Sequence, residues 1–206
     1  MYIPAHFSET KPEALSRIIH QYPLGALVTH GSAGLDADHI PFEFDAAVGT
    51  HGVLSAHVAR ANPLWRRFPT GTPVMVIFSG AQAYISPNWY PSKHETHRSV
   101  PTWNYEVVHA HGILSVHDDE KYVRRIVARL THRHEATEPK PWKMGDSTPE
   151  FISSMLNNII GIEIAITSLV GKVKLSQNRE ARDRMGAATS LEQLGKVELA
   201  KRMRDA

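Results

Sequence analysis

The sequence predicts a mainly antiparallel β fold with peripheral helices, in the class of small α+β barrels. Three observations lead there. Extended, apolar-rich segments follow one another with Gly-containing turns between them, about six in all, which is the pattern of sequential hairpins. Helical periodicity is confined to the first twenty-odd residues, to connections between strands and to the end of the chain. The length of 206 residues with 42% hydrophobic content is enough for one core with appendages and no staples.

The elements can be justified in order. Thr10-Lys11-Pro12-Glu13 reads as a capping box with an early proline, opening a helix to about Gln21 with Ala14, Leu15, Ile18 and Ile19 on one face. Leu24 to His30 is a strand, and Gly31-Ser32-Ala33-Gly34 a turn. In Leu35 to Asp45 the residues Ile40, Phe42 and Phe44 alternate as in a half-buried strand. A turn at Gly49 to Gly52 leads into a strand at Val53 to Val58, and Asn62-Pro63 starts a short helix carrying Leu64, Trp65 and Phe68. The apolar run Val74 to Phe78 predicts a strand buried on both faces, with strand character resuming at Gln82. Pro87 to Pro101 reads as a long, proline- and aromatic-rich loop, a type that is functional or disordered. Thr102 to His117 is a long strand with a bend at Gly112. A helix capped by Asp118 or Asp119 runs to Leu130, and a second occupies Thr148 to Asn158. Ile159 to Leu175 is extended, and two short basic helices finish the chain.

Composition narrows the function classes. The absence of cysteine rules out a disulfide framework and thiolate metal sites, and suits a reducing cytoplasm. The start, Met1 to His6, lacks the basic and apolar regions of a signal peptide. No stretch approaches the roughly 20 apolar residues of a spanning helix, so a soluble, cytoplasmic protein without a membrane partner is expected. Net charge is only +2, but residues 172 to 206 hold nine Lys or Arg against five Asp or Glu. That basic end suits a phosphate group or DNA, although it equally describes a solvated helix surface. No helix-turn-helix, nucleophile elbow or Gly-rich phosphate loop can be read.

Three segments carry candidate chemistry. Gly52 to Pro63 is a strand emptying into a helix start, with a hydroxyl, an imidazole and a guanidinium near free helix N–H groups. Tyr84 to Lys93, resuming at Val100-Pro101-Thr102-Trp103-Asn104-Tyr105, gathers large aromatics and prolines around a lysine, a threonine and an asparagine. Its rings can cover a planar ligand or simply pack on the barrel. Lys172-Val173-Lys174-Leu175-Ser176-Gln177-Asn178-Arg179 is a basic strand end.

Together with Met1-Tyr2-Ile3-Pro4, these segments resemble the PaiB family of FMN-binding negative transcriptional regulators, over nearly the whole chain. The most specific run is Val100 to Tyr105; Glu180, where proline is common, departs from the pattern. The resemblance implies an antiparallel FMN-binding split β-barrel that works as a homodimer with FMN in a groove between subunits. On that reading residues 1–170 form the barrel with inserted helices. Residues 171–206, the basic end of the last strand and the C-terminal helices, pack on the same domain. The resemblance further implies that His39, Ile40 and Pro41 line the flavin ring and that Ser55, His57 and Arg60 approach the phosphate or ribityl chain. Lys93, Thr102, Trp103 and Asn104 would close the site, from the same or the other subunit, with Lys174 and Gln177 near the ring.

The thirteen histidines include the close pairs His94/His97, His109/His111 and His132/His134. None has the converging third and fourth ligands of a metal site, so no metal is expected. A haem ligand among them has no signature either. Three functions stay open: a negative regulator that binds FMN, with DNA as a partner despite the lack of a reading motif; a flavin-dependent oxidoreductase for an unnamed small molecule; and a flavin or haem carrier.

Overall fold

A computed structural model describes residues 1–206. The strands are β1 (Ser8–Glu9), β2 (Leu24–Gly31), β3 (Gly34–Pro41), β4 (Glu43–Asp45), β5 (Val53–Ala59), β6 (Pro73–Ile85), β7 (Thr102–His117) and β8 (Ile159–Lys174). The α-helices are α1 (Pro12–Gln21), α2 (Leu64–Arg67), α3 (Pro91–Thr96), α4 (Glu120–Glu135), α5 (Pro149–Leu156), α6 (Ala181–Gln193) and α7 (Val197–Arg204). The strands form one antiparallel sheet in the order β3-β2-β6-β7-β8-β5-β4, with β1 on β8. No helix is long and apolar enough to cross a membrane.

Three details depart from the sequence pattern. There are eight strands rather than about six, because the Leu35–Asp45 stretch breaks at Phe42 and Ser8–Glu9 adds the short β1. Before the break β3 pairs with β2, and after it β4 pairs with β5. Pro41 brings no N–H to a ladder, and the Phe42 N–H donates to the Pro23 carbonyl at 2.9 Å, so the chain changes partners there. Second, the Val74–Phe78 run is not buried on both faces. Val74, Val76 and Phe78 are buried while Met75 and Ile77 are half-buried, and the whole segment belongs to one 13-residue strand. Third, the Pro87–Pro101 loop holds a 3-10 turn (Pro87–Trp89) followed by α3. Proline opens both pieces, where its missing N–H costs nothing. His97 closes α3 at φ 54°.

Two compact units divide the chain: residues 1–21, 79–108 and 170–206 make the first, and 22–78 with 109–169 the second. Three of the four boundaries fall inside β6, β7 and β8, where no linker composition marks them. In the first unit Ile18, Ile19, Ile85, Tyr90, Ala187, Leu199 and Met203 are buried. A deeply buried charge is Glu106 on β7, 1% exposed, which accepts from Arg17 of α1 at 2.5 Å and from Arg202 of α7 at 3.1 Å. A buried carboxylate is tolerated because two guanidinium groups compensate its lost hydration.

In the second unit Leu27, Phe42, Phe78, Leu54, Leu114, Ile160, Ile162 and Ile164 fill the core, and Phe42 meets Phe78 edge to face at 6.0 Å. The opposite face of β4-β5-β8 is polar. Glu43, Ser55 and Glu163 are cross-strand neighbours there, as are His57 and Gly161. Helix α4, capped by Asp119, lies over that face. Tyr122, Ile126 and Leu130 are its buried cluster, and Arg129 and Arg133 reach Asp45 and Glu43 at 3.4 and 3.2 Å.

Candidate functional site

Six of the twelve residues singled out in the sequence lie in each unit. In the second unit, β3 places His39 and Pro41 on its exposed face, whereas the Ile40 side chain turns into the core and is 4% exposed. Adjacent strand residues point to opposite faces, so these three cannot all present side chains to one ligand.

Ser55 and His57 are two apart on β5 and face α4. Ser55 is buried and hydrogen-bonds the Tyr122 hydroxyl, which itself donates to Glu163 Oε2 at 2.9 Å. Gly161 makes room for this arrangement: a Cβ there would come within 2.7 Å of the Tyr122 ring. The His117 ring stacks on Tyr122, centroids 3.8 Å apart and 14° from parallel. Burial, reinforced by the bond to Glu163, pushes the Tyr122 phenol well above its ordinary range, so it stays a neutral donor. His57 is also held below its ordinary pKa by burial, and its Nδ1 is buried without a partner.

Because burial favours neutral His57, unfolded chains take up a proton that the folded state resists. The stability this contributes is complete above pH 6.5 and is lost as pH falls below it. Chemical denaturation between pH 5 and 7 will therefore show stability rising with pH, and His57→Gln will flatten part of that slope. An unchanged slope would place the titration elsewhere; His109, lowered by burial in the same sense, would be the next group to replace.

Arg60 has internal partners. It forms a two-pronged pair with Asp118 (2.9 and 2.6 Å), and its Nε donates to the Asn157 carbonyl at 2.6 Å. The pair raises the Arg60 pKa and lowers that of Asp118. The guanidinium thus ties the end of β5 to the start of α4 and to the chain before β8. Arg60→Ala should lower the melting temperature while leaving FMN affinity within about twofold. A loss of affinity tenfold or greater at unchanged melting temperature would return Arg60 to the ligand.

In the first unit, Trp103 on β7 and Tyr84 on β6 are large and exposed, 53% and 46%, and meet edge to face at 6.4 Å. Thr102 beside them accepts a hydrogen bond from the Lys174 ammonium at the end of β8. Burial, with Lys172 and Arg179 adding like charge, lowers the Lys174 pKa. Lys172 lies over the Tyr105 ring at 5.3 Å. Asn104 is fully buried: its amide donates to Ser176 Oγ at 2.9 Å, and its Oδ1 has no partner. Gln177 closes its own turn, donating to the Val173 carbonyl and accepting from the Leu175 N–H, both at 2.7 Å. Lys93, on α3, donates to Asn88 Oδ1 at 2.9 Å.

Sequence reasoning missed Tyr122, Glu163 and His117. Tyr122 reads as one more apolar position of α4. The signal that could have found them is Gly161 inside the run Ile159-Ile160-Gly161-Ile162, since glycine within a strand marks a close approach. No group of histidines and acids is arranged to hold a metal ion.

An isolated buried acceptor or donor costs about 1–3 kcal/mol unless something pairs with it. Asn104 Oδ1 is one such atom in the first unit, where Trp103 and Tyr84 offer ring area to a flat molecule. These features fit a polar, planar cofactor. The fold is the split β-barrel of flavin-binding proteins. The flavocytochrome Anf3 of Azotobacter vinelandii superposes with a TM-score of 0.59 at 11% identity, covering 84% of this chain and 72% of that one. An FAD and heme binding protein of Mycobacterium smegmatis gives 0.57 at 16% identity, covering 87% and 79%.

Residues 1–168 match the family described as "Putative FMN-binding domain", and the chain belongs to that family. Protease synthase and sporulation protein PAI 2 of Bacillus subtilis, the PaiB protein, is 31% identical over 93% of this chain and 89% of its own length. An uncharacterized protein of Emericella nidulans is 31% identical over 95% of this chain and 92% of its own. The resemblance to the PaiB family therefore holds.

Proposed function

We propose that this protein binds FMN between two copies of the chain and acts as a negative regulator of transcription of the PaiB kind. The observation that carries the flavin reading is the exposed Trp103–Tyr84 pair beside the Thr102–Lys174 bond. Stacking on an aromatic face is worth about 1–3 kcal/mol per flat ring. Lys174 supplies a cation held at one place by Thr102, and partial burial lowers its pKa. Lys93 and the basic end of β8 add positive charge suited to a phosphate ester. When bound, FMN supplies reversible one- and two-electron redox chemistry, and the chain's residues position and shield it.

Titrating the apoprotein with FMN while following flavin fluorescence tests the cofactor, and sedimentation with and without FMN tests the dimer. Saturable one-to-one binding per chain by a dimer is expected. A monomer that fails to quench FMN at 100 μM would end the proposal, since that concentration corresponds to only about 5.5 kcal/mol of binding. For regulation, promoter DNA should be retained selectively over unrelated DNA, with affinity falling as salt rises.

A flavin-dependent oxidoreductase is the second reading, favoured by the Ser55–Tyr122–Glu163 set, which holds a neutral hydroxyl donor within the second unit. Bleaching of the bound flavin by a nicotinamide donor and its return on adding an acceptor, without selective DNA retention, would decide for that reading.

A further inference from the structure

We infer that helix α6, outside the residues matched by the family, holds the Pro87–Thr96 segment in place, and that Asp183 is the positioning residue for Lys93. Asp183 is 2% exposed, and neither the flavin reading nor the sheet uses it. Its Oδ1 accepts the Ser92 backbone N–H at 3.0 Å and its Oδ2 the Ser92 hydroxyl at 2.5 Å. Ser92 is the second residue of α3, so its N–H is one of the donors a helix start leaves unpaired. No side chain within α3 caps that end; Tyr90, at the cap position, provides none. The capping carboxylate comes instead from ninety-one residues further along.

Two more contacts join the same elements. Arg182 forms a two-pronged pair with Glu95 of α3 at 2.5 and 2.7 Å. Gly186, one turn beyond Asp183, lies against the Trp89 carbonyl so closely that a Cβ would collide with it. Trp89, Ser92 and Glu95 thus meet Gly186, Asp183 and Arg182 of α6, and Lys93 sits between Ser92 and Glu95 in the chain. Its ammonium is fixed by Asn88, whose N–H is bound by Ser86 Oγ at 3.2 Å. A six-residue helix with prolines before it has little stability of its own. Its conformation therefore depends on α6.

The inference rests on the proposed role of Lys93 for its functional part, and the experiment separates the two. Hydrogen exchange of the full chain should show amides 90–97 exchanging tenfold or more faster in Asp183→Ala, with β2 and β5 unchanged. Asp183→Asn, which can still accept from the Ser92 N–H, should return exchange to within threefold of the parent. Ser92→Ala, which keeps the backbone bond, should fall between the two. FMN affinity of Asp183→Ala should drop about tenfold. Local loosening with unaltered FMN affinity would uphold the clamp and remove Lys93 from the flavin site. Unchanged exchange in Asp183→Ala would overturn the inference. So would equal loosening of α3 and the core strands in Asp183→Asn and Ser92→Ala, which would make the contact a general stability element.

Discussion

Replacing Glu106 with alanine will cost about 3 kcal/mol of stability, the low end of what breaking a buried ion pair costs. The carboxylate is almost fully enclosed, while Arg17 and Arg202 keep about a quarter of their side-chain surface exposed, 25% and 26%. Removing the acid leaves two guanidinium groups without the carboxylate they share. Partial exposure lets them turn to solvent, which is why the low end of the range applies. For a chain of this size that is roughly 6–12 °C in melting temperature. The single replacements Arg17→Ala and Arg202→Ala each leave the other cation in place and should cost less, and their effects should not add. Thermal unfolding of the four proteins checks this. A loss below 1 kcal/mol for Glu106→Ala would mean that the cluster is solvated in solution.

Trp103→Ala will weaken FMN binding ten- to a hundredfold with little change in stability, because the ring is more than half exposed in the free chain. Little packing is lost with it. Trp103→Phe keeps a stacking face and should recover most of the affinity. Lys174→Met should cost a further tenfold or so, the size of a charge-assisted hydrogen bond. It also frees Thr102, so the two losses need not be independent. Fluorescence titration of the three variants, with melting curves as the control for folding, decides the matter. If Trp103→Ala binds FMN as the parent does, the exposed aromatic pair is not the flavin platform.

Much of the architecture is legible in the chain. The helix opening near Pro12, the long strands at 102 and 159 and the amphipathic α4 are local patterns, read from residues within a few positions of each other. The PaiB resemblance was legible too, because Val100 to Tyr105 is a contiguous run. What local patterns missed depends on partners far away. The break at Phe42 follows from which strand each half can pair with. Met75 and Ile77 look like core residues from hydropathy, and only the sheet shows that their face is left half-open.

The candidate residues divide in the same way. Composition and order determined that aromatics, a threonine and lysines would be available near Trp103, and that no cysteine chemistry is possible. Tertiary structure decided which polar groups are already occupied. Arg60 is taken up by Asp118, fifty-eight residues away, and Ser55 lies under Tyr122, while Gln177 turns back on its own strand end. It also decided that Asp183, which looks like an ordinary helix acid, caps a helix ninety-one residues earlier. The reason is physical: hydropathy and spacing fix which face of an element is buried, but a hydrogen bond belongs to a pair, and its partner is chosen only when the chain has closed on itself.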